Sequence, residues 1–133
     1  NKHDMPVLVH DREAHADTYA LLAQYRPKGI VHCFSGSAPD AVRLAQQGMY
    51  IGFGGVLTFA NARKTVEAAA ALPLERIVLE TDCPYMAPVP FRGKRCDSGM
   101  ILYVAQKLSE IHQKSVEEVL SVTEQNARTL FRV

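Results

Sequence analysis

The sequence predicts an α/β fold built on a parallel sheet, and three observations carry that expectation. Four short β-type runs begin at Pro6, Gly29, Met49 and Arg76. Each is apolar almost throughout rather than alternating, the pattern of strands buried on both faces. Helical periodicity fills the gaps, and consecutive βα units imply parallel strands joined by right-handed crossovers. Two architectures share this rhythm: a small doubly wound sheet and half of an eight-stranded barrel. In both, functional groups collect at the carboxyl ends of the strands.

Taken in order, "PVLV" from Pro6 opens the first strand, which runs to His10. Ala14, Thr18, Leu21, Leu22 and Tyr25 then share one helical face, and Pro27-Lys28-Gly29 stops that helix. After the second run, "GIVHCF", Ser37 can cap a helix with Pro39 and Asp40 in its first turn. Ala41, Leu44 and Ala45 face inward there, and Gly48 ends it. "MYIGFG" is the third strand. Asn61 is placed to cap the next helix, with Val66, Ala69 and Ala70 inward and Pro73 as the stop. "RIVLET" is the fourth strand, followed by the irregular stretch "CPYMAPVPFRGKRCDSG". Ile101, Val104, Leu108 and Ile111 mark an amphipathic helix, Ser115 with Glu118 forms a capping box for another, and "TEQNARTLFRV" reads as a closing helical segment.

The bulk numbers narrow the function classes. With 133 residues, 47% hydrophobic and 22% charged, the chain is one ordinary domain with enough apolar matter for a core. No apolar run approaches the ~20 residues that span a bilayer, and the polar opening "NKHD" is no secretory signal. A missing initiator Met, with a strand close behind, points to a chain cut from something longer or to a removed tag. Net charge is +1, so any contact with phosphates must be local rather than the work of a global basic field. Cys33, Cys83 and Cys96 form no CxxC pair, which argues against a disulfide framework or zinc ribbon and for a reducing, cytoplasmic compartment.

The chemistry gathers at three strand ends, which carry His10, His32 and Asp82. Imidazole with carboxylate suits zinc, and further carboxylates and waters shift preference toward manganese or magnesium. Two His and one Asp on neighbouring strands would supply half of a binuclear cluster, able to clamp a phosphodiester or activate water. His3, His15 and His112 lack this placement and read as surface residues. Glu80 alternates with Asp82, so both point to one face while Thr81 points away. Glu80 is then either an acceptor for a ligand's N–H or part of a salt bridge inside a barrel. Strand alternation aims Cys33 away from the site, into the core.

Four further residues are candidate substrate contacts. Arg12 can pair with a phosphate or bond a helix terminus. Ser35 belongs to a loop before a helix whose N-terminal amides favour anions, or which is merely capped. Arg92, with Lys94 and Arg95, forms a basic cluster beside Tyr85 and Phe91; it flanks a nucleic-acid strand by charge and stacking, or is a solvated loop.

"PVLVHDREAHADT", "GIVHCFSGS", "YIGFGGVLTF" and "ETDCPYMAPVPFRGKR" resemble successive signatures of the TatD family of metal-dependent deoxyribonucleases. "TEQNARTLF" resembles the closing segment of that family, and the blocks stand in family order over nearly the whole chain. The resemblance implies the C-terminal half, four βα units and strands five to eight, of a TIM-type (β/α)8 barrel of amidohydrolase-like kind. Residues 1–133 would be a single partial domain. It implies His10, His32 and Asp82 as ligands to one or both of two divalent ions (Mg, Mn or Zn), with Asp82 orienting or deprotonating the attacking water. This chain alone would hold one ion or none, since the HxH pair and the Glu of the family's first half have no counterpart here. The expected activity is 3′–5′ exonuclease-type hydrolysis of DNA. Hydrolysis of a small amide or ester is the alternative, and an inactive half that folds with a partner is a third reading. DNA is the expected partner and a membrane is not. Open barrel edges would call for self-association or a partner half. At Cys96-Asp97-Ser98-Gly99 the chain departs from the family's usual Asn, acid or amide, then Pro, which bears on substrate preference and not on the ligands.

Overall fold

The apolar runs pair with one another in chain order. Strands β1 (Val7–His10), β2 (Gly29–His32), β3 (Met49–Phe53) and β4 (Ile77–Leu79) form one parallel sheet, β1-β2-β3-β4, in a computed structural model describing residues 3–133. A doubly wound sheet needs a point where strand order reverses. This one never reverses, so the winding is that of a barrel. Register sets Val7 against Gly29 and His10 against His32.

Among the described residues five α-helices accompany the sheet: α1 (His15–Tyr25), α2 (Ala38–Gln46), α3 (Arg63–Ala70), α4 (Ile101–His112) and α5 (Val116–Phe131). Val31, Ile51 and Ile77 form the main core with Leu44, Ala69, Leu108 and Val119 from the helices. Ile30 and Val78, on the other face, make a smaller cluster with Leu130 of α5. Ser37 Oγ accepts the N–H of Asp40, as the sequence predicts. Ser115 Oγ likewise accepts from Glu118 N–H, but the Glu118 carboxylate turns to Lys114, so only half of the capping box forms. Among the described residues no helix is long and apolar enough to cross a membrane.

Several local expectations need correcting. β1 is not buried on both faces: Leu8 is 62% exposed, because nothing among the described residues covers the sheet edge. On α1, Leu22 is buried as expected, while Leu21 and Tyr25 are exposed and Tyr19 packs inward beside Leu22. Asn61 does not cap α3; Ala62 holds that position with no side-chain bond. On α3, Val66 and Ala69 pack inward as expected, joined by Thr65 and Ala68, but Ala70 is exposed. The run Ala68–Ala71 offers no apolar contrast from which to phase that helix.

One buried polar side chain fastens the last helix to the sheet. Asn126 Nδ2 donates to the carbonyls of Leu74 and Ile77, both at 2.8 Å, at the entry to β4. Asn126→Leu would leave those carbonyls without a donor and is expected to cost roughly 1–3 kcal/mol. An unchanged urea midpoint would contradict this. At the same amino-terminal end of the sheet, Asp4 pairs with Arg132 and Lys28 beside a hollow lined by Tyr50 and Arg76.

Candidate metal centre and groove

The site is assembled where β2 and β4 finish. β4 ends at Leu79, yet Glu80 N–H still donates to Phe53 O at 3.1 Å, so the pairing continues one residue further. Extended backbone then turns Glu80 and Asp82 to the same side. Both reach His32: Glu80 Oε2 stands 2.8 Å from Nδ1, and Asp82 Oδ1 2.8 Å from Nε2. With a carboxylate at each ring nitrogen, both positions favour an N–H donor, so the arrangement favours the charged form of the ring. Burial works against that charge, but Glu80 and then Asp82 outweigh it, and His32 is held above its ordinary range. Burial also lifts the Glu80 carboxyl above its usual range, against the opposing pull of His32 and of Cys33 N–H.

Gly52 makes the arrangement possible. A Cβ there would fall 2.6 Å from Glu80 Oε2, so any side chain would displace the carboxylate from beneath His32. His10, register partner of His32, is exposed, and the two rings lie 6.1 Å apart, tilted by 38°.

Cys33 corrects a prediction. It does not follow strand alternation into the core, because its backbone adopts φ 48, a left-handed conformation that ends the pleat. Its N–H donates to Glu80 Oε1. Burial, then a hydrogen bond to Asp82, push its thiol up to about 12. His15 and His112 are also not plain surface residues. His15 Nδ1 lies 2.5 Å from the buried Asp11 carboxylate, and His112 Nε2 bonds the Ala69 carbonyl at 3.1 Å. His3 is exposed, as expected.

The candidate substrate residues divide into two groups. Arg12 is exposed, just past His10, and forms no ion pair among the described residues. Ser35, Tyr85 and Arg92 border two adjoining depressions, one lined by Tyr85 and Lys94, the other by Ser35 and Lys64. Phe59, Met86 and Arg92 line both and join them into one groove. Arg92 lies over the Phe59 ring at 4.1 Å, a cation–π contact that fixes its guanidinium. The sequence reading passes over Phe59 and Met86. Phe59 closes the run "GGVLTF", and an aromatic at the end of a Gly-rich segment was the available signal. Gly55 seats the groove's wall: a Cβ there would fall 2.0 Å from the Met86 carbonyl oxygen.

The donor chemistry of His32 and Asp82 suits a divalent cation. Two neighbouring ligands of an octahedral ion with bonds near 2.1 Å stand about 3.0 Å apart. The 2.8 Å separation of His32 Nε2 and Asp82 Oδ1 is close to that. Among the described residues, however, no group of three or more His, Cys, Asp or Glu side chains is gathered for metal binding. The donors fit; the set in this chain is partial.

A sheet wound in chain order, with imidazole and carboxylate groups at its carboxyl ends, defines half of a TIM-type barrel. Comparison with known proteins agrees. The family model described as TatD related DNase matches residues 1–132, and the chain belongs to that family. YabD of Bacillus subtilis (strain 168), named an uncharacterized metal-dependent hydrolase, is 39% identical over 133 residues, covering 98% of this chain and 52% of that protein. YcfH of Escherichia coli (strain K12), named likewise, is 41% identical over 131 residues, covering 96% and 49%. The crystal structure of YjjV, a TatD homolog from Escherichia coli K12, superposes with a TM-score of 0.91 at 35% identity, covering 99% of this chain and 52% of that one. The chain thus spans about half the length of the curated relatives it matches.

Proposed function

We propose that the chain supplies one half of the active site of a divalent-metal-dependent deoxyribonuclease. The observation that carries this reading is His32, clasped by Glu80 and Asp82 at the strand ends, with a basic and aromatic groove lined by Ser35 and Met86 from the segments that follow His32 and Asp82. His10, His32 and Asp82 would hold the ion, Mg, Mn or Zn, which supplies Lewis-acid polarisation of a phosphate oxygen and a lowered pKa for water.

The chain's own residues do the rest. Glu80 accepts the Nδ1 proton of His32, which turns the Nε2 lone pair toward the site once that nitrogen is deprotonated. Asp82 orients the attacking water and takes its proton on a carboxylate oxygen. Arg92, braced on Phe59, pairs with a backbone phosphate, and exposed Tyr85 offers a face for a base. Arg12 and Ser35 donate to further phosphate oxygens. The remaining ligands of the family's site come from the first half of the barrel, which also covers β1.

The test is cleavage of short end-labelled DNA in Mg²⁺ or Mn²⁺, with and without the first half of a relative such as YabD supplied as a separate chain. Cleavage is expected in the mixture. If three cations of the loop meet phosphates, binding to single strands should weaken roughly twentyfold between about 50 and 200 mM salt. Turnover of small amides or esters, without cleavage of DNA or dependence on salt, would replace this reading with the amidohydrolase one.

A further inference from the structure

The loop that leaves Asp82 returns to its own base and brings two thiols together. Cys83 Sγ lies 3.7 Å from Cys96 Sγ, thirteen positions later in the chain. The Cys96 N–H donates to the Pro84 carbonyl at 2.9 Å, so the two arms of the loop are already fastened beside these side chains. Cys83 is exposed and Cys96 buried, which makes one thiol reachable from solvent and leaves the other shielded behind it. A disulfide bond is about 2.0 Å long, so the sulfurs need to close by roughly 1.7 Å from their 3.7 Å separation. Cys83 gives the necessary freedom: its present partner is the Thr81 hydroxyl at 3.0 Å, a weak contact that rotation would release.

We propose that Cys83 and Cys96 are a reversible dithiol–disulfide pair, oxidised by a low-molecular-weight disulfide such as glutathione disulfide. The exposed Cys83 thiol loses its proton and attacks one sulfur of glutathione disulfide. A mixed disulfide forms, and the departing glutathione thiolate takes up the proton. Cys96 then attacks the Cys83 sulfur, an S–S bond forms within the chain, and the second glutathione leaves with the second proton. Two protein thiols give up two electrons, and one external disulfide becomes two thiols. The closed loop of residues 83–96 contains Tyr85, Arg92, Lys94 and Arg95, so oxidation fastens the base of the segment that brings Tyr85, Arg92 and Lys94 to the groove. This pairing stands on the geometry of the loop and is independent of the nuclease reading.

Trypsin cleaves after Arg92, Lys94 and Arg95, which separates the two cysteines into peptides 77–92 and 96–107. After exposure of the native chain to glutathione disulfide, acid quenching and alkylation, mass spectrometry is expected to find these two peptides joined and to lose the species on reduction. A Cys33→Ser variant should give the same yield. Repeated in concentrated guanidinium at the same glutathione ratio, the yield should fall by roughly tenfold or more, because folding is what holds the thiols at a high effective concentration. Equal yields in the two conditions would overturn the proposal. So would a lasting glutathione adduct on Cys83 with Cys96 alkylated, or linkage running mainly through Cys33.

Discussion

Asp82→Asn is expected to lower DNA cleavage by the complemented enzyme about 10³-fold, within the range for loss of a positioned acid–base group. The amide matches the carboxylate in shape, keeps one oxygen acceptor and loses the basic oxygen that takes the proton from water. It also removes the charge that faces His32 Nε2 at 2.8 Å. Asp82 is only half-buried and follows β4 rather than forming part of the ladder, so the fold should survive. The measurement is a single-turnover rate at saturating metal, with urea denaturation run beside it. A variant that stays folded and retains cleavage within a factor of about ten would remove Asp82 from the reaction.

Glu80→Gln is expected to weaken Mn²⁺ or Zn²⁺ binding about 10- to 100-fold, through the tautomer of His32 rather than through any contact with the ion. Glu80 accepts two hydrogen bonds, one from His32 Nδ1 and one from the Cys33 N–H. A glutamine has one acceptor oxygen for these two donors. If that oxygen keeps the Cys33 N–H, the amide NH₂ faces Nδ1, and the imidazole proton is driven to Nε2, the nitrogen turned toward Asp82. A nitrogen that carries a proton cannot ligate. Calorimetric titration of the complemented barrel reads the loss, and unchanged affinity with a folded variant would show that Glu80 merely fills space under Gly52.

What could be read in advance follows from where each residue's partners lie. β2, β3 and β4 were legible because their apolar runs are covered by helices of the same chain. The burial of β1 was misjudged because no pattern within Val7–His10 reports whether a neighbour exists beyond the edge. The shared direction of Glu80 and Asp82 could be read, since alternation persists for as long as the backbone stays extended. Cys33 broke the same rule through one residue with positive φ, which no local signal announces. Asn126 has no local signal of its role, which depends on carbonyls about fifty positions away. The meeting of Cys83 with Cys96 is likewise a property of a folded loop whose path has no periodicity to extrapolate.

The pairing of Asp4 with Arg132 has a practical side. It draws the two ends of the described chain together beside Lys28 and Arg76, which precede β2 and β4. Since all four strands run the same way, this corner lies at the pole remote from His32 and the groove. A tag, a fluorophore linker or a surface tether attached at either end would therefore leave from the back of the molecule. An immobilised chain would present its groove outward to whatever flows past, and a short peptide bridging the two ends is the natural starting point for a circular permutant.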